Sequence, residues 1–133
     1  MMPEFYTIKD RVPEPCPDLH AWMDWIIENP DYRDVRYTEM YGGLRVSTIF
    51  VGIDMNHMGR VMDDGSPPLL FETALVTDGG AEIYDRCATW DEAQAMHDEA
   101  VQEAAERLRD ADAMINLRED TASPPPSGGK DQP

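Results

Sequence analysis

Four side chains in this sequence have the chemistry of a metal or proton-transfer site: Asp54, His57, Glu72 and His97. Carboxylates and imidazoles ligate divalent cations and act as general acids and bases near neutral pH. His97 stands out by position. Helical spacing of about 100° per residue places it between Ala93 and Val101, in the middle of an apolar arc. A helix built only to pack would carry Leu or Ala there. The imidazole is therefore either buried and hydrogen-bonded to a neighbour or aimed into a pocket. Glu72 interrupts the apolar run 69–76, and strand alternation sets it on the face of Leu70, Ala74 and Val76. Asp54 closes a predicted strand, where side chains leave the core. Asp54, Glu72 and His97 thus form the candidate metal set, with His57 as an optional fourth member. No pair among them has an HxxxH or HxH spacing.

Other catalytic signatures are missing from the sequence. Ser47 and Thr48 lie mid-strand, not at a strand-to-helix elbow flanked by glycines. Gly128-Gly129-Lys130 lacks the first glycine and the following Ser/Thr of a phosphate loop. Cys16 and Cys87 are too few for a disulfide-stapled domain and read as idle thiols of a reducing compartment. An enzyme is the less favoured reading, no catalytic residue is assigned, and no cofactor is expected.

The elements that position these residues are legible in outline. Residues 1–17 contain Pro13, Pro15 and Pro17 and read as an extended arm with a short edge strand over 5–8, since proline has no amide for a central strand. Asp18 is placed to cap a helix with Leu19, Trp22, Met23 and Ile26 on one face, widened by Trp25 and Ile27. Asn29-Pro30 stops that helix. Segments 35–41 and 44–53 form a hairpin turned at Gly42-Gly43. Segments 69–76 and 81–86 form a second, turned at Asp78-Gly79-Gly80. The connection 54–68 is long for a small domain, and its Met55, Met58 and Met62 suit an adaptable contact.

Thr89-Trp90-Asp91-Glu92 is a capping box opening an alanine-rich helix to about Asp112. Its arc of Trp90, Ala93, Ala100, Val101, Ala104, Leu108 and Ala111 is predicted to face the sheet. The expected fold is α+β. A four-stranded, mainly antiparallel sheet of two hairpins carries the C-terminal helix on one face, and a short N-terminal helix lies against the sheet or its edge. The expected boundaries are an arm over 1–17, one domain over 18–118 and a disordered tail over 119–133.

Charge limits the function classes. The 133 residues carry 27 Asp+Glu against 11 Lys+Arg, a net charge of −16. Direct binding to nucleic-acid phosphates rests on clustered Lys/Arg and is disfavoured. No apolar run approaches the roughly 20 residues of a membrane span, and residues 1–6 have neither the basic start nor the apolar stretch of a secretory signal. The acidity is not in the tail, which balances at one acid and one base. Residues 89–120 alone carry ten acids and three bases. On the final helix Asp98, Glu99, Glu103, Glu106 and Asp110 fall largely off the apolar arc. Such a row is either a solvated face or a lure that imitates a phosphate backbone and fills a basic groove. It matches no Ca²⁺ loop.

Three segments carry a resemblance: residues 45–54 (RVSTIFVGID), residues 67–73 (PPLLFET) and Thr89-Trp90-Asp91-Glu92-Ala93 through His97. In order and spacing they resemble a small bacteriophage and prophage protein family of unassigned function, over roughly residues 35–105. The chain differs after Asp54, where relatives tend to place His directly and this sequence has Met55-Asn56-His57. The resemblance implies a viral or prophage gene expressed in the bacterial cytoplasm. The first functional expectation is a non-enzymatic accessory protein that binds a basic host or phage protein through Asp98, Glu99, Glu103, Glu106 and Asp110. In its sharpest form it is a nucleic-acid mimic that inhibits host defence. The alternatives are a small metal-binding protein or enzyme using Asp54, Glu72 and His97, or a virion assembly component. The oligomeric state is left open.

Overall fold

The computed structural model describes residues 5–56 and 61–121, with side chains through residue 112. The chain opens with an antiparallel hairpin, β1 (Tyr6–Lys9) and β2 (Val12–Pro15), followed by helix α1 (Leu19–Glu28). Strands β3 (Asp34–Glu39), β4 (Arg45–Phe50), β5 (Phe71–Thr77) and β6 (Gly80–Cys87) come next, and helix α2 (Trp90–Thr121) closes the order. The four later strands form one antiparallel sheet in sequence order. The fold is α+β, with α2 packed on one face of this sheet.

The core is layered, and the layers follow from strand pairing. Val46, Thr48 and Phe50 of β4 are buried at alternate positions, as are Phe71, Thr73 and Leu75 of β5. The register sets Val46 opposite Leu75, Thr48 opposite Thr73, and Phe50 opposite Phe71. Helix α2 covers the three pairs in turn. Ala93 packs with Phe50 and Phe71, while Ala100 and Ala104 pack with Val46, Leu75 and Leu44. His97 lies between them, over the threonine pair. Residues 93, 97, 100 and 104 make one helical stripe, and its alanines let α2 approach the strands closely. Met96 is also buried. It supplies a large apolar side chain that the predicted arc lacked, whereas Ala111 is exposed.

Both helix starts are capped as expected. Asp18 accepts from the His20 amide at 3.0 Å. The Thr89 hydroxyl accepts from the Glu92 amide at 3.1 Å, and the Glu92 carboxylate accepts from the amides of Thr89 and Ala88, both at 3.2 Å. Helix α2 runs to Thr121, past the expected end near Asp112. Neither proline nor glycine occurs between Asp112 and Pro124, so nothing in the sequence breaks it earlier. Residues 122–133, the bulk of the tail expected to be disordered, lie outside the described residues. The first turn of the sheet is a 3-10 turn over Tyr41–Gly43, with Gly42 and Gly43 at φ of 76° and 81°, in place of a two-residue turn.

The N-terminal segment is more built than a single edge strand. Asp10 and Arg11 hold positive φ angles of 53° and 71°, which closes β1 on β2 as a two-residue hairpin. Its prolines lie on β2, which pairs with β1 alone. The hairpin is anchored to the main domain at Gly52. The Tyr6 amide donates to the Gly52 carbonyl at 2.8 Å, and Trp22 Nε1 donates to the Tyr6 carbonyl at 2.9 Å. Gly52 has φ of +79°, and a Cβ there would stand 3.1 Å from Trp22 Cζ2 and 3.3 Å from the Tyr6 carbonyl oxygen. Tyr6 is buried in the same cluster as Phe50 and Phe71, and Trp25 and Tyr32 pack against it.

Two substitutions test this packing by urea denaturation. Phe50→Ala is expected to cost about 3–5 kcal/mol, because it empties the centre of the larger cluster. Gly52→Ala is expected to cost about 1–3 kcal/mol, combining left-handed strain with crowding against Trp22. Tyr37→Ala on the exposed sheet face is expected to stay within about 0.5 kcal/mol of the parent.

Candidate functional site

The candidate metal residues are brought to three different places. His97 is completely buried between α2 and the sheet. Its Nε2 lies 2.9 Å from Thr38 Oγ1 of β3, and its Nδ1 lies 2.7 Å from Thr48 Oγ1 of β4. Thr48 Oγ1 in turn lies 2.6 Å from Thr73 Oγ1 of β5. One imidazole thus ties α2 to three neighbouring strands through three hydroxyls. Both ring nitrogens are used within the protein, so the ring has no lone pair left for a metal in this arrangement.

Glu72 is on the opposite face of the sheet. It stands across from Arg86 in the β5–β6 register and accepts from Arg86 Nε at 3.2 Å. The pair answers the charge that alternation placed in a mostly apolar strand. Asp54 serves the chain itself. It is buried and accepts from the amides of Asn56 at 2.8 Å and Leu69 at 3.2 Å. With Asn56 Nδ2 donating to the Pro67 carbonyl at 2.7 Å, it draws together the two ends of the long connection. His57 lies outside the described residues. Among the described residues, no group of three His, Cys, Asp or Glu side chains is arranged to hold a metal ion. Whether Asp54, Glu72 and His97 meet is left open by the sequence; in the structure β5 turns Glu72 and Thr73 to opposite faces, and His97 meets Thr73.

Cys16 and Cys87 are both free. Burial, followed by the nearby Glu92 carboxylate, pushes the Cys87 thiol up to about 11, away from the thiolate. A groove of about 370 Å³ on the sheet is lined by Asp34, Val35, Arg36, Tyr37, Ser47, Thr48 and Ile49, with no histidine or cysteine among them.

The acidic residues of α2 do come together with a second element. Asp98 pairs with Arg36 at 2.8 Å, and Arg36 also reaches the side chain of Gln94 at 3.3 Å. Glu103 pairs with Arg107 at 3.0 Å, and the Arg107 guanidinium bridges on to both oxygens of Glu82 on β6, at 3.2 and 3.1 Å. Arg107 holds the Glu82 carboxyl below its ordinary range. Tyr84, half-buried beside them on β6, has its hydroxyl pKa raised by burial and then by Glu99, Glu103 and Asp85. Carboxylates from α2 and β6 therefore form one ridge around Tyr84, with Glu99, Glu106 and Asp110 making no ion pair among the described residues. Asp98 and Arg36 lie on the β3 side of α2, apart from this ridge. Arg107 and Tyr84, which organise the ridge, were not among the candidate site residues, because β6 and α2 meet only through the sheet register.

Comparison of the chain with family models, with curated proteins and with solved structures finds no match. Among the described residues no helix is long and apolar enough to cross a membrane.

The buried imidazole makes stability depend on pH. Desolvation, then the positive Arg36, lower the His97 pKa below its ordinary 6.5, with Asp98 opposing weakly. The folded state therefore resists protonation while the unfolded chain accepts a proton near pH 6.5. The contribution of neutral His97 is fully present above that pH and is lost as pH falls towards the depressed folded value. Urea midpoints measured from pH 7.5 to 5 are expected to decline for the parent. They are expected to decline less for His97→Gln, which is less stable at pH 7.5 by about 1–3 kcal/mol through its poorer hydrogen bonding.

Proposed function

We propose that this protein is a non-enzymatic accessory protein that engages a basic protein through the acidic ridge of α2. The observation that carries the reading is the ridge itself: carboxylates of a helix and a strand gathered around Tyr84, on a helix whose rotation is set by His97. Glu99, Glu103, Glu106 and Asp110 follow one another along α2, about one carboxylate per 5–6 Å of helix axis. A single DNA strand carries a charge about every 3.4 Å. The ridge is sparser than a nucleic acid, and Arg107 neutralises part of it. It suits a basic groove on a protein, and nucleic-acid mimicry against a host defence factor is the sharpest form of the proposal. The sequence resemblance supports a phage or prophage setting in a bacterial cytoplasm.

The reading makes binding salt-sensitive. The tagged protein is incubated with bacterial extract at about 0.1 and 0.5 M salt, ionic strengths between which screening shortens markedly. A basic partner held at low salt, released at high salt and displaced by added duplex DNA is expected. The triple reversal Glu99→Lys, Glu106→Lys, Asp110→Lys is expected to weaken that binding at least about tenfold, since each exposed charge contact contributes about 0.2–1 kcal/mol and reversal adds repulsion. The triple variant should fold as the parent does, because all three side chains leave the core. A partner retained at high salt and by the reversed variant contradicts the proposal.

A further inference from the structure

The first helix carries an apolar stripe that the fold leaves in solvent. Leu19, Met23 and Ile27 recur every fourth residue on α1 and are 46%, 50% and 75% exposed. The packed side of the helix adjoins the stripe: Trp22 is buried and anchored to Tyr6, and Trp25 packs edge-on against Tyr32 at 5.3 Å, whereas Leu19 and Met23, expected to share the face of Trp22, are turned out of the core. The stripe spans about 12 Å of helix axis, two turns, the length over which a second helix can set side chains between its ridges.

Charge says what kind of segment fits. Asp24 and Glu28 flank the stripe one residue on, and neither forms an ion pair among the described residues. No Lys or Arg occurs between Arg11 and Arg33. The last turn of α1 carries Glu28 and no basic residue, so no side-chain cation complements the negative end of the helix dipole. A cation placed there would answer both. A second copy of this chain would bring the same unpaired carboxylates to the seam, which opposes self-pairing. Residues 122–133 hold no Leu, Ile, Val, Met or aromatic side chain to insert.

We propose that α1 is a docking helix for a short amphipathic helical segment of another protein, with apolar residues at i and i+4 flanked by Lys or Arg. The apolar residues seat on Leu19, Met23 and Ile27, and the flanking cations pair with Asp24 and Glu28. This surface shares no residue with the α2 ridge, and the inference stands without that reading.

A display library of randomised 16-residue peptides selected on the immobilised full-length protein, followed by fluorescence anisotropy of the enriched peptides, tests it. Enrichment of sequences with apolar residues at i and i+4 and flanking Lys or Arg is expected. Their affinity is expected to fall at least tenfold for Met23→Gln/Ile27→Gln, to fall for Asp24→Lys/Glu28→Lys, and to be unchanged for Glu99→Lys/Glu106→Lys. All substituted side chains are exposed, so circular dichroism and urea midpoints are expected to match the parent. No enriched peptide, enriched peptides indifferent to the α1 substitutions, or a stripe covered by a dimer in sedimentation at working concentration each overturns the proposal.

Discussion

The packing of this protein turns on one buried polar layer. His97, Thr38, Thr48 and Thr73 sit between two apolar clusters, one built on Phe50 and Phe71 and the other on Val46 and Leu75. A polar group in such a place is costly unless it is hydrogen-bonded, so the layer admits few alternative arrangements. Sliding β5 by one residue would replace Thr73 with a side chain of the other face and leave the imidazole without its chain of hydroxyls. Rotating α2 would bury a carboxylate and expose the imidazole. Purely apolar layers would tolerate such slips better, because their contacts are not directional.

What the helix shows to solvent follows from what the layer fixes. With residues 93, 97, 100 and 104 turned to the sheet, Glu99, Glu106 and Asp110 leave the core, and Glu103 turns towards β6. There Glu82 and Glu103 share one arginine, and Tyr84 lies among carboxylates. The opposite side of the molecule differs in character. Its sheet face carries the Glu72–Arg86 and Arg45–Asp78 pairs beside Tyr37 and Ile83, so charge there is balanced locally.

Much of the fold was legible in the chain because its signals are local. The capping box at Thr89–Glu92, the Asp18 cap, the glycine turns and the alternation of β4 and β5 each occupy a few adjacent residues. The N-terminal hairpin was not legible in full, since Asp10-Arg11 is an uncommon pair for a positive-φ turn and the prolines left room only for a short edge strand. The candidate site was legible only in part. His97 was marked as anomalous by its place on an apolar arc, and it is indeed the polar centre of the core. Its partners were hidden: Thr48 and Thr73 look like ordinary β-branched strand residues until the register sets them opposite one another. Whether His97 meets Asp54 and Glu72 was hidden for the same reason, because which face a strand residue occupies relative to a distant helix is a property of pairing, not of composition.

The imidazole itself offers the most direct test of this account. Long-range ¹⁵N spectra of the full-length protein report the protonation and tautomer of each histidine ring. A His97 ring held as one neutral tautomer at pH 6.5, with a slowly exchanging N–H, is the predicted result. A His97 ring that takes up its proton at or above pH 6.5, or that averages between tautomers, would contradict a sealed hydrogen-bonded layer and the helix orientation that depends on it.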